Sequence, residues 1–141
     1  MALAQALASR PACIPQARLR GVKAKGLTFE RRVGGELAKL FPQVQSGRWF
    51  QHWHEGRLRY AQPDHYVVLP GLTLLIECKL SESQEAWPQL ARYANILEEI
   101  HFQHVIRVQA CRHLRSGRAP IISVLDAFRA PTRDHLWHLL V

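Results

Sequence analysis

Apolar residues recur along this chain with two different periods, and the switches between them outline its elements. From Gly26 to Phe41 the period is helical, with Phe29, Val33, Leu37 and Leu40 on one face. Thr28 is placed to cap this helix, Pro42 ends it, and Gly34-Gly35 weakens it from within. From Gln45 to Tyr60 aromatic and polar residues mix, with Glu55-Gly56 as a turn between two strands, or between a strand and an irregular arm. Pro63 to Leu80 carries the clearest hairpin signal. Tyr66 to Leu69 and Leu72 to Ile76 flank Pro70-Gly71, and Pro then Gly at the two central positions is a type II signature. The second arm is apolar on both faces, as a central strand is.

Helical spacing returns from Gln84 to Ile100. There Leu90, Tyr93, Ala94, Leu97 and Ile100 form a buried stripe, and Pro88 is tolerated in the first turn. Three more strand candidates follow: His104 to Cys111, Ile121 to Leu125, and Leu136 to Val141. The order of helix, strands, helix and strands predicts an α/β fold in three layers, a central mixed β-sheet flanked by helices. The 141 residues suit one domain, expected to span residues 26–141.

Charge changes this picture at the N-terminus. Nineteen Lys and Arg stand against 11 Asp and Glu, a formal +8, which favours polyanionic partners. Residues 1–25 hold Arg10, Arg18, Arg20, Lys23 and Lys25 and no acid. They read as a flexible basic arm for nucleic-acid phosphates, or as a segment of organellar targeting character. No apolar run approaches membrane-spanning length, so no membrane partner is expected. The three cysteines form no C-x-x-C pair, which fits reduced thiols and a cytoplasmic location.

The hairpin brings candidate chemistry together. If Leu69 pairs with Leu72 across Pro70-Gly71, counting outward along both arms sets Asp64 opposite Glu77. Opposed Cβ atoms lie about 5 Å apart, so two carboxylates there repel unless a cation sits between them. Hard oxygen donors favour Mg²⁺ or Mn²⁺. Lys79 shares the face of Glu77, while Cys78 points to the other face and into the core. A cation and a lysine beside two acids supply what phosphodiester hydrolysis needs: an acidified water and positive charge for the transition state. The eight histidines show no zinc-type spacing and read as surface or packed residues. Glu82 and Glu85 read as acids favouring the start of the next helix.

Pro63-Asp64 followed by Glu77-Cys78-Lys79 resembles the PD-(D/E)xK nuclease superfamily. The resemblance extends to Gln89 and Tyr93, which are similar to the Q-x-x-x-Y helix motif of RecB-like nucleases, and to Glu30, which matches a glutamate on the preceding helix. It covers about residues 26–110. It implies a restriction-endonuclease-like fold and a Mg²⁺- or Mn²⁺-dependent DNA nuclease of the junction-resolvase, phage or mobile-element kind. Asp64, Glu77 and the Cys78 carbonyl would bind metal, and Glu30 would reach it through a water. Lys79 would position the attacking water, and Gln89 would orient the site. Tyr93 would contact nucleic acid, or be a core aromatic with its hydroxyl at the edge. Arg112 and Arg115 are further candidates to grip phosphates. Such enzymes are often homodimers, and Leu136 to Val141 is a candidate interface. The competing expectations are an inactive nuclease fold used as a DNA-binding or assembly module, and a nuclease directed at RNA.

Overall fold

A computed structural model describes residues 4–15 and 22–141. The elements in chain order are β1 (Ala4–Ala6), α1 (Val22–Leu40), β2 (Gln45–Ser46), β3 (Phe50–His54), β4 (Arg57–Ala61) and β5 (His65–Leu69). They continue with β6 (Leu72–Ser81), α2 (Ala86–His101), β7 (His104–His113), a 3₁₀ helix (Val124–Arg129) and β8 (Asp134–His138). The larger sheet has the order β2-β5-β6-β7-β8, and β1-β3-β4 make a second, three-stranded sheet. β6 pairs antiparallel with β5 and parallel with β7, so the larger sheet is mixed, as expected.

The two faces of β6 divide the core. Leu74 and Ile76 face a cluster with Phe29, Val33 and Leu37 of α1. Leu75 faces the opposite cluster, with Leu90, Tyr93, Ala94 and Leu97 of α2 and Phe50 of the small sheet. Helix, sheet and helix form the three layers, and β6 is buried on both sides because each face meets one of them. No helix among the described residues is long and apolar enough to cross a membrane.

The hairpin has the register read from its turn. Leu69 pairs with Leu72 and the ladder continues to His65 opposite Ile76. Gly71 has φ of 83°, the left-handed conformation that the third position of a type II turn requires. Glu55-Gly56 also forms a two-residue turn, between β3 and β4, with φ of 52° and 73°. Positive φ at both central residues is the I′ geometry that matches strand twist.

Several element bounds differ from those expected. The first helix starts at Val22, so Thr28 is internal and not a cap; its hydroxyl donates to the Ala24 carbonyl. Lys25, the last residue of the expected basic arm, therefore lies inside α1, and β1, within the same arm, pairs with β3. Ile121 to Leu125 is not a strand. Ile121 makes one bridge to Trp137, after which Ser123 caps the 3₁₀ helix through its side chain. Only Val124 and Ala127 of that helix are buried, a spacing of three that suits a tight helical turn and not a strand. The C-terminal strand is Asp134–His138, at the edge of the larger sheet, with Leu136 and Trp137 packed into the chain's own core.

Candidate active site

The site begins where a ladder stops. β6 runs on to Ser81, but its pairing with β5 ends at Ile76, leaving an open notch beside Glu77 to Leu80. At the notch the Asp64 side chain takes over from the missing strand: its Oδ2 accepts the Cys78 N–H at 2.7 Å. The N–H and C=O of one residue point to the same side of a strand, so the Cys78 carbonyl also faces the notch.

Glu77 continues the register opposite Asp64. It is only 3% exposed, and its Oε2 is buried without a hydrogen-bond partner. Burial pushes its pKa up to about 10, with the Asp64 charge adding to the rise and Lys79 opposing it. Glu30, on α1, feels the same group: burial and then Asp64 raise it to about 7, against Arg31. Asp64, Glu77, Lys79 and Glu30 are thus near enough for the charges of Asp64, Lys79 and Glu30 to act on Glu77. A buried acid with an unpartnered oxygen, facing a second acid, is held protonated until a cation favours its ionised form. Among the described residues no three His, Cys, Asp or Glu side chains form a compact ligand cluster. Two carboxylates, a carbonyl and waters are nonetheless the donor set that Mg²⁺ prefers, since it keeps much of its hydration.

Cys78 faces the α1 cluster, and burial drives its thiol well above the usual range. It is core, as expected. Gln89 donates to the Tyr93 hydroxyl at 3.0 Å and bonds none of the site carboxylates. Tyr93 is 5% exposed within the α2 cluster, the core-aromatic placement expected as the alternative to a nucleic-acid contact. Arg112 and Arg115 are exposed, as is Lys25. Arg18, Arg20 and the Lys23 side chain lie outside the described residues.

Sequence reasoning missed three supports. His65, next to Asp64, is buried between α1 and β2. Its Nε2–H donates to the Glu30 carbonyl at 2.8 Å, and its Nδ1 accepts from the Ser46 hydroxyl at 2.7 Å. A carbonyl can only accept, which fixes this neutral tautomer, and burial lowers the pKa of the ring accordingly. His65 thus ties the turn of α1 that carries Glu30 to the start of β5, directly after Asp64. Gly34 makes room for it. The helix-weakening glycine pair was the available signal, since a glycine inside a helix often marks close approach.

Glu82 is the second support. Its carboxylate accepts the Arg115 and Ser116 N–H groups at 2.8 and 2.9 Å and also the Ser116 hydroxyl. These bonds lower its pKa, Ser116 first. Its role is to pin the loop after β7 to the end of β6, not to start α2. Gln109 is the third: it brackets Ser83, accepting the Ser83 N–H at 2.8 Å and donating to the Ser83 carbonyl at 3.0 Å. Glu82→Ala leaves two backbone N–H groups without their acceptor and should cost about 2–4 kcal/mol in urea unfolding. A loss below about 0.5 kcal/mol would mean the loop is held by other contacts.

The chain matches no protein-family model, no curated protein and no solved structure.

Proposed function

We propose that this chain is a divalent-cation-dependent nuclease that hydrolyses DNA phosphodiester bonds, with a restriction-endonuclease-like fold and a PD-(D/E)xK-type site. The observation that carries the reading is the buried, unpartnered Glu77 oxygen facing Asp64 at the open end of the β5–β6 ladder. Asp64, Glu77 and the Cys78 carbonyl would hold Mg²⁺ or Mn²⁺, with Glu30 reaching the ion through a water. Such an ion, when bound, would supply water acidification and positive charge for the phosphate. Lys79, two residues beyond Glu77 on the same face, would hold the attacking water and offset charge on the phosphate oxygens. His65 and the Glu82-pinned loop keep the notch in shape. Three free thiols fit a reducing compartment such as the cytoplasm.

The test is cleavage of supercoiled, linear and junction DNA, alongside RNA, with Mg²⁺ and with EDTA. Cleavage of DNA that requires the ion is expected. Lys79→Met should lower the rate about 10²–10³-fold while leaving DNA affinity within a few-fold. Unaltered cleavage by Lys79→Met would remove this site from the chemistry. Salt-sensitive DNA binding with no cleavage under any ion would instead assign the chain as a binding module.

A further inference from the structure

α1 presents two flanks to the end of the sheet, and only one carries Glu30. Lys25, Thr28 and Arg32 share the other flank, at helical spacing. They border a cavity of about 540 Å³ whose floor is Phe29, Leu80 and Val141 and whose far wall includes Arg112. Strand alternation explains the meeting. Ile106, Val108 and Ala110 face α1, so Arg112 on the same strand does too, and Leu80 follows Leu74 and Ile76. Two segments that looked unrelated in sequence, the basic start and the end of β7, thus converge on one hollow. None of Lys25, Arg32 and Arg112 is paired with a carboxylate among the described residues.

We infer that this cavity is a nucleotide subsite, holding a backbone phosphate of the cleaved DNA strand on Lys25, Arg32 and Arg112. The sugar and base edges of that nucleotide pack on the apolar floor of Phe29, Leu80 and Val141. The inference deepens the nuclease reading and rests on it. Charge and position both favour this occupant. Three unpaired cations around an apolar floor match the two halves of a nucleotide, a phosphate and a flat, weakly polar body. Leu80 is three residues beyond Glu77, roughly 10 Å along the strand and on the opposite face, so a DNA strand reaching the cavity from the notch passes round the end of β6. That axial distance is about three rises of duplex DNA at 3.4 Å each, which puts the expected phosphate about three nucleotides from the cut bond. The subsite would set which strand polarity runs through the notch, because it lies to one side of Asp64 and Glu77 only.

Two measurements test this, and their failures differ. DNA binding is measured in EDTA across a salt series for wild type, Arg32→Ala/Arg112→Ala and the control Arg57→Ala/Arg133→Ala. Each pair removes two exposed charges, so equal weakening would mean that only overall charge matters and would overturn the subsite. The expected result is a loss of about tenfold or more and a salt slope shallower by about one for the first pair, and under threefold for the control. In the second measurement, a neutral methylphosphonate is moved one linkage at a time along the cleaved strand, with Mg²⁺. Wild-type KM should rise at one linkage within about three nucleotides of the cut, on one side only, and the Arg32→Ala/Arg112→Ala variant should lose that sensitivity. Normal cleavage with no such linkage sinks the subsite and leaves the nuclease reading standing. Absence of both cleavage and binding in wild type sinks both.

Discussion

At pH 8 and without divalent ions, Glu77→Gln should melt about 3–10 °C above the wild-type chain and lose cleavage on the order of a thousandfold or more. The two halves of this result have one cause. Glu77 sits almost fully buried against Asp64, and its folded pKa is raised from 4.5 to about 10, first by burial. The folded state therefore holds a proton that the unfolded chain releases. Its stabilising effect is complete below about pH 4.5 and is lost as the pH rises towards about 10. Glutamine is never ionised and can donate to Asp64, which relieves on the order of 1–3 kcal/mol at pH 8. The gap between the two proteins should close near pH 4.5. Mg²⁺ should raise the wild-type melting temperature at pH 8 through linkage and leave the variant unmoved. A Glu77→Gln protein that melts lower than wild type at pH 8, or still cleaves, would contradict the assignment of Glu77 as a buried metal-binding acid.

Two adjacent glycines should respond to the same substitution with opposite signs. Gly34→Ala is expected to destabilise by about 1–3 kcal/mol, and Gly35→Ala to stabilise by about 0.5–1 kcal/mol. In a helix, alanine is normally the better residue, because glycine loses more backbone entropy on folding. At Gly35 nothing lies within 4 Å of an added Cβ, so the helix gain is free to appear. At Gly34 the new Cβ would stand 2.8 Å from Cε1 of His65. That ring cannot swing aside without breaking its bond to the Glu30 carbonyl or to Ser46. The damage should reach the site. Gly34→Ala should also weaken the stabilisation by Mg²⁺, since the ring joins the Glu30 turn to the start of β5, directly after Asp64. Calorimetry of both variants, with and without the ion, reads this directly. Stabilisation by both substitutions would show that His65 has room to move and does not position Glu30.

The part of this site that was legible in sequence is the part set by short-range rules. Pro70-Gly71 fixes a type II turn, the turn fixes the register, and the register places Asp64 across from Glu77. A period of two then puts Lys79 on the same face and Cys78 in the core. The helical stripes of α1 and α2, and the three layers they imply, follow from spacing alone. What only the tertiary structure decided lies between residues far apart in the chain. His65, Ser46 and the Glu30 carbonyl meet because α1 crosses the end of β5. Glu82 turns from a helix-start acid into a loop anchor because β7 ends beside it. Ile121 to Leu125, apolar enough to be a strand, makes one bridge to the edge strand β8 and then turns into the 3₁₀ helix that Ser123 caps. Lys25, Arg32 and Arg112 share a cavity only because parallel pairing of β6 and β7 ends both strands beneath the same helix. Local chain stiffness and side-chain period are written in neighbouring residues. Close approach, buried polar partnership and cavity shape arise from packing, which no local pattern encodes.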